Sequence, residues 1–589
     1  FPVGISYEEL NTTRPDVVEN VHRQYVQAGA RVIETNTFSA NREKLARFGL
    51  ESEVKSINRA GAAIARKAAG AEAYVVGAIG SIRAGKRRNA VSADLRAVFQ
   101  EQAEALLEED IDGILLETFY EYEEMRLALN VVRKLTGLPV ICQFATDGGD
   151  TTADGLSFRE AFARLAAEGA DIVGFNCHSG PNGIIRSLQK SAATGEMPYS
   201  VFPNAGLPSY VDGKYTFGSP PSYFAENARA FADLGVRLIG GCCGTTPEHI
   251  AAMAEALRDY VPRPAAGPAE RGETEPSAPG EAIVLSERNA AATSSAADHG
   301  AHEPTLVDLV KRRHTVIVEL DPPRDLDTGK YMAGARALRD AGVDAITMAD
   351  NSLAMTRMSN MSLGFLVKEK IGIRPLLHLT CRDRNLIGTQ SHLMGLHALG
   401  IDHVLALTGD PPRFGDLPGA SSVYDMTSFE LIRMIKQLNE GTAFSGKPLK
   451  HKAKFVVGVA FNPNVKHLDK AIRRLEKKVE SGADFVMTQP VYDPALIETL
   501  HEATKHLPIP VFIGIMPLVS GANAEFMHNE VPGVVLTDDV RRRMAGLKGE
   551  EGRAVGIQIA KELLDTAIKY FNGVYLMTPM LLYDMSVQL

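Results

Sequence analysis

The chain holds five cysteines in 589 residues, and two of them are adjacent. "LIGGCCGTTP" (238–247) sets Cys242 and Cys243 behind two glycines at the end of an apolar run, and "GFNC" sets Cys177 at the end of another. Apolar runs of this kind, alternating with helical segments, read as strands of a parallel sheet, so the three thiols would share one rim. Adjacent cysteines rarely bridge each other. A third thiol from another strand suits a metal better, and three thiolates favour Zn²⁺ with a fourth position open to a substrate. Small buried residues at glycine-rich turns are the competing reading. A zinc ion with soft ligands and a vacancy can hold a substrate thiol as thiolate at neutral pH, a nucleophile suited to methyl transfer.

A second group of reactive types lies in the other half. "VIVELDPP" buries Glu319 in an apolar strand, followed by Asp321. A carboxyl in an apolar wall has a raised pKa and can act as a general acid near neutral pH, and the alternative is a structural carboxylate paired with an arginine. "LTGDPP" ends a strand with Asp410, "TQPVYD" carries Gln489, and "PLLHLTC" supplies His378 and Thr380. A lone histidine on a strand is ordinarily a satisfied core or rim residue. In the first half, "LLETFYE" carries Glu117, whose ordinary reading is a strand-end carboxylate facing water.

The elements that must position these residues fall into two series. In the first half the strand candidates are 31–38, 73–80, 113–120, 139–146, 172–177, 199–206 and 238–244, with helical segments such as 94–110 between them. The chain starts abruptly before the first of these, so an eighth strand N-terminal to it would complete a (β/α)8 barrel. The second half offers 315–323, 345–350, 374–381, 403–410, 455–463, 485–493, 510–518 and 573–579. The fold expected is therefore α/β, two (β/α)8 TIM barrels joined by a flexible linker, the first lacking its N-terminal strand. Its parts are 1–261, a Pro-, Ala-, Gly- and Ser-rich linker at 262–304, and 305–589. A doubly wound open sheet is the rival. Polar residues at nearly every strand's C-terminal end favour barrels, and no GxGxxG follows either first strand. A coil of ~40 residues spans roughly 30–40 Å, which would bring the barrels near each other without fixing them.

Composition narrows the partners. A net charge of −9 without a long basic run argues against nucleic acid, and no apolar stretch is long enough to span a bilayer. The first residues are not a signal peptide, and few, odd-numbered cysteines fit a reducing cytoplasm rather than a disulfide framework. Small molecules are the expected partners, and a homo-oligomer is compatible with the sequence.

"ETNTF", "ETFYE", "FNC" and "GGCCGT", in this order and spacing, resemble the zinc-dependent homocysteine S-methyltransferase family over about residues 1–260. The resemblance implies Zn²⁺ on Cys177, Cys242 and Cys243, Glu117 on the homocysteine amino group, and Asn36 lining the pocket. The ordered set "E-x-x-PP", "HLTC", "LTGDPP", "TQPVYD" and "NEVPG" resembles 5,10-methylenetetrahydrofolate reductases over about 305–589. That resemblance implies NAD(P)H reducing FAD, then 5,10-methylenetetrahydrofolate taking up the hydride to give 5-methyltetrahydrofolate. Glu319 would be the general acid, Asp410 would sit by the flavin edge and pterin, and Gln489 would bind the pterin. FAD contacts would fall on Thr347, His378, Asp410, Tyr424 and Lys478. The pair together is similar to bifunctional homocysteine S-methyltransferase/methylenetetrahydrofolate reductases. A first barrel without activity, kept as a regulatory or assembly module, is the alternative. The methyl donor, folate or sulfonium, is left open.

Overall fold

A computed structural model describes residues 6–83, 94–146, 148–191, 197–207, 209–211, 214–262, 303–411, 415–417 and 420–589. All but the ends of the 262–304 linker lies outside these residues.

The first half builds one parallel sheet of seven strands in sequence order. They are β1 (Val32–Glu34), β2 (Tyr74–Gly80), β3 (Gly113–Phe119), β4 (Val140–Phe144), β5 (Ile172–Asn176), β6 (Tyr199–Phe202) and, after a short antiparallel hairpin of β7 (Ser209–Val211) and β8 (Lys214–Thr216), β9 (Val236–Ile239). The hairpin was not anticipated. Among the described residues β1 and β9 are the sheet's two ends, and no ladder joins them.

The second half closes. β10 (Thr315–Glu319), β11 (Ala345–Met348), β12 (Arg374–Thr380), β13 (His403–Leu407), β14 (Val456–Phe461), β15 (Phe485–Pro490), β16 (Val511–Ile515) and β17 (Gly573–Met577) form a ring in sequence order, and β10 pairs with β17. All the expected strands are present, with C-terminal ends shorter than the sequence suggests.

Side-chain alternation explains how these strands present a site. Successive residues point to opposite faces, so every second residue enters the barrel. In the closed barrel Ile317, Ala345, Leu376, Leu405, Phe485 and Met487 share the interior cluster. Their neighbours Val318, Ile346, Leu377, Val404 and Val486 belong to the cluster beneath the helices. Two residues beyond the interior set on their strands stand Glu319, Thr347 and His378, which this parity directs toward the C-terminal mouth, and Gln489, which lies at the C-terminal end of β15 within a register shift between Met487 and Pro490. The first sheet repeats the arrangement. Val76, Leu115, Ile141 and Phe202 form its inner apolar floor, and Glu117 lies two residues past Leu115. Close approach is needed at Gly174 in β5, where a Cβ would fall 1.8 Å from the Ser200 carbonyl oxygen of β6.

The barrels touch. The Ser219 hydroxyl donates to the Asn529 carbonyl (2.6 Å), and the Leu207 N–H donates to the Glu530 carbonyl (2.8 Å). Contact of this kind goes beyond two bodies held only by a tether.

Candidate functional site

The three thiols converge. Cys177 follows β5, Cys242 and Cys243 follow β9, and their sulfurs all lie within 4.8 Å of one another. Cys177 Sγ and Cys243 Sγ are 3.7 Å apart. A tetrahedral zinc with Zn–S bonds of about 2.3 Å needs sulfurs about 3.8 Å apart, so the donor set fits that ion. The N–H groups of all three cysteines bond to the last residue of β6 and the two residues after it. Cys177 N–H donates to Phe202 O (3.0 Å) and Cys242 N–H to Pro203 O (2.8 Å). Cys243 N–H donates to the Asn204 side-chain oxygen (3.1 Å). Cys177 and His178 hold left-handed backbones, with φ of 58° and 63°, which cost free energy in residues other than glycine and turn the chain sharply at the rim.

Crowded thiols resist ionising together. The Cys242 thiol pulls Cys177 down, but Cys243 and burial outweigh it and leave Cys177 pushed up to about 12. Cys177 and Cys243 push Cys242 well above the ordinary thiol range, with burial adding to it. A divalent cation reverses this balance by neutralising the thiolates as they form.

Carboxyls stand beside the sulfurs. Burial pushes Glu117 well above the usual carboxylate range, and Glu34 and Cys243 push it further. Burial also lifts Glu34 to about 7. Asn176 Nδ2 donates to Glu117 (3.2 Å) and to the Thr118 hydroxyl (2.7 Å), which orients the carboxyl over the rim. A cavity of about 670 Å³ opens alongside, lined by Glu34, Asn36, Phe202 and Cys242 among others.

The closed barrel carries its own arrangement. Burial and the neighbouring Asp321 push Glu319 up to about 8, against the pull of Arg357. The arginine pairs with Asp321 (2.9 Å) and with the Pro322 carbonyl (2.9 Å). Glu319 instead accepts a hydrogen bond from the Tyr575 hydroxyl. Thr347 Oγ1 and His378 Nε2 are buried without a protein partner among the described residues. Such orphaned polar atoms around a barrel mouth suit a polar, planar cofactor such as a flavin. Burial lowers His378 to about 4, so its imidazole is neutral at physiological pH.

Residues 5–257 match the family model described as Homocysteine S-methyltransferase, and residues 306–580 match the one described as Methylenetetrahydrofolate reductase. The chain joins these two families in one polypeptide. The methionine synthases of Mycobacterium tuberculosis and Mycobacterium leprae are each 33% identical to it, over 44% and 42% of this chain. The chain spans under a quarter of their length, 23% and 22%. The metallated crystal form of the Escherichia coli homocysteine methyltransferase MmuM is 25% identical over 42% of this chain and 86% of that one, with a TM-score of 0.36.

In the methyltransferase barrel, then, Cys177, Cys242, Cys243 and Glu117 come together, while Asn36 lines the cavity with its amide already bonded to Tyr7 O (2.9 Å) and Asn11 Oδ1 (2.9 Å). Glu34 escaped the sequence reading although it lies two residues before Asn36 in the same motif. Period-2 alternation puts both on one face, and that was the available signal.

In the reductase barrel Glu319, Thr347, His378 and Gln489 share the mouth, and Gln489 is exposed there. Asp410 is exposed on the loop after β13, where its carboxylate accepts the Leu353 N–H (2.8 Å). Tyr424 donates its hydroxyl to Gly409 O (3.1 Å), beside Asp410. Lys478 reaches Ala460 O of β14 from the helix behind it (2.7 Å), and burial lowers its ammonium to about 8. Tyr575 and Asp350 went unread. Asp350 accepts from Thr380 N–H (3.0 Å) and pairs with Arg384 (2.8 Å), which holds it low against the opposing effect of burial.

Proposed function

We propose that the N-terminal barrel transfers a methyl group to homocysteine, giving methionine, and that the C-terminal barrel reduces 5,10-methylenetetrahydrofolate to 5-methyltetrahydrofolate. The convergence of Cys177, Cys242 and Cys243 is the observation that carries the first activity. Zinc held by these thiols would keep a substrate thiol ionised, and FAD with NAD(P)H as reductant would supply hydride in the other barrel.

The chain's own residues do the rest. Glu117, oriented by Asn176, takes the substrate ammonium, whose positive charge offsets the crowding that now opposes ionisation of this carboxyl. Asn36 lines the approach. In the reductase, Glu319 is protonated at neutral pH and delivers that proton to the folate ring nitrogen as the five-membered ring opens. Gln489 binds the pterin at the mouth. Thr347 and His378 offer the buried polar atoms for FAD, with Asp410 and Tyr424 on the outer loops. Lys478, engaged with Ala460, belongs to the FAD set by motif position alone.

No helix among the described residues is long and apolar enough to cross a membrane. The five cysteines form no disulfide with one another, which suits a cytoplasmic setting.

The test is a donor screen on zinc-loaded protein. Methionine formation from homocysteine is measured with methylfolate and with sulfonium donors, beside metal analysis. Stoichiometric zinc with no methionine from any donor would leave the second reading, an N-terminal barrel kept for assembly, which the contact between the barrels favours.

A further inference from the structure

Glu530 belongs to the reductase barrel, yet its side chain is enclosed by the methyltransferase barrel. It ends the helix Gly521–Glu530 and is 3% exposed. One carboxyl oxygen accepts the backbone N–H of Asn182 (2.9 Å) and the hydroxyl of Tyr223 (2.8 Å). Its carbonyl accepts the Leu207 N–H, and the preceding carbonyl accepts the Ser219 hydroxyl. The Arg186 guanidinium lies over the Phe526 ring, 6.0 Å from its centroid. Two glycines clear the space. A Cβ on Gly180 would lie 2.1 Å from Glu530 Oε2, and one on Gly206 would lie 3.1 Å from Glu530 Cα.

These contacts land on the loop that carries Cys177 and on the run after β6 that holds the Cys242–Cys243 loop. Asn182 is the second residue of the helix Pro181–Ser191, which directly follows the Cys177 turn, where Ser179 N–H donates to Cys177 O (2.7 Å). Leu207 ends the run from Pro203 that accepts from Cys242 and Cys243. Asn204 ties the two loops together: its N–H donates to Ser179 O (2.9 Å) and its side chain accepts from Cys243. On the reductase side, Gly533 O accepts Asn464 Nδ2 (2.9 Å), which also donates to Pro490 O (2.9 Å), next to Gln489. The segment from Phe526 to Gly533 therefore runs from the folate-side rim of one barrel to the thiol rim of the other.

We infer that Glu530 is a positioning residue for the three-thiol site, which reaches its metal-holding geometry only with the reductase barrel docked. This rests on the zinc reading of the triad. The physical basis is ordinary: a carboxyl oxygen satisfies an N–H that a helix's first turn leaves without an intrahelical partner, and buried polar groups that lose such partners pull their loops out of place. Removing residues that orient metal ligands typically costs ~10–100-fold in metal affinity.

The test compares the full chain with Glu530→Ala and Glu530→Gln. In metal-free protein, backbone hydrogen exchange over 177–183 and 203–207 should be about tenfold faster in the alanine variant, and zinc release from loaded protein to a chelator should accelerate by on the order of tenfold. Glutamine keeps an oxygen that accepts from Asn182 and Tyr223, so it should restore both to near the parent. Parent-like exchange and zinc release in Glu530→Ala overturn the inference. Faster exchange with unchanged zinc release also overturns it, because Glu530 would then only hold the barrels together. A parent chain that takes up no zinc sinks the metal reading of the triad, and with it the inference. Should Glu530→Ala fail to fold, Tyr223→Phe, which removes one of the two donors, carries the same readouts with smaller changes in the same direction.

Discussion

The Tyr575 hydroxyl of β17 donates to the Glu319 carboxyl of β10, across the seam that closes the reductase barrel. Arg357, the nearby cation, is spent on Asp321. Glu319 is thus left with a neutral partner, and burial raises it to about 8.

The pH dependence follows from that direction. Glu319 carries its proton below about pH 8 and loses it above, so folate reduction should hold through neutral pH and fall about tenfold per unit beyond pH 8. A hydrogen bond from Tyr575 favours the ionised carboxylate, so Tyr575→Phe should move the falling limb to higher pH. Stopped-flow traces of the folate half-reaction measure both, and a limb that Tyr575→Phe leaves in place would count against this pairing. Glu319→Gln should slow the folate step ~10²–10⁴-fold while reduction of the flavin by NAD(P)H proceeds. Equal slowing of the two half-reactions would point to a role in flavin binding.

Cys242→Ser should drop zinc well below stoichiometric and abolish methyl transfer, because one of three protein ligands is lost from a site whose sulfurs lie within 4.8 Å. Metal analysis after gel filtration decides it, and retention of a full equivalent would refute the ligand set.

Glu117→Gln should raise the KM for homocysteine by roughly 10–100-fold, since a charged hydrogen bond is worth about 1.5–3 kcal/mol. Steady-state kinetics with kcat and KM resolved separately provide the check. An unchanged KM would remove Glu117 from substrate binding.

Gly174→Ala should destabilise the methyltransferase barrel by at least ~1–3 kcal/mol, because the new methyl would fall 1.8 Å from the Ser200 carbonyl oxygen, backbone that cannot step aside as a flexible side chain can. Denaturant unfolding would show the loss as a lowered midpoint.

Much of this was legible in the residues, and what was not has identifiable causes. Buried strands announce themselves by apolar runs, so both series of strands could be placed. Their C-terminal ends could not, because polar residues there leave the ladder for local bonds. "RVIETNTF" continues past Glu34 in type, yet Thr35 and Thr37 turn aside and bond to each other through their hydroxyls (2.6 Å). The thiol triad was readable because cysteine is scarce and each member ends an apolar run. The partnership of Glu34 with Glu117 was not, since alternation gives the face and not the register between strands. Glu530 was beyond reach for a plainer reason. Its partner Asn182 lies 348 residues away in sequence, and no local pattern encodes a contact between barrels.

The two sheets also differ in how they can come apart. The ring from β10 to β17 has no end from which to fray, whereas among the described residues the row from β1 to β9 has two. Among these residues β9, the strand that leads to two of the three thiols, pairs on one side only, with β6. The third thiol follows β5, with β6 lying between. An ion held by all three would clasp β9 to β5 across β6, tying together two strands whose ladders meet only through that middle one.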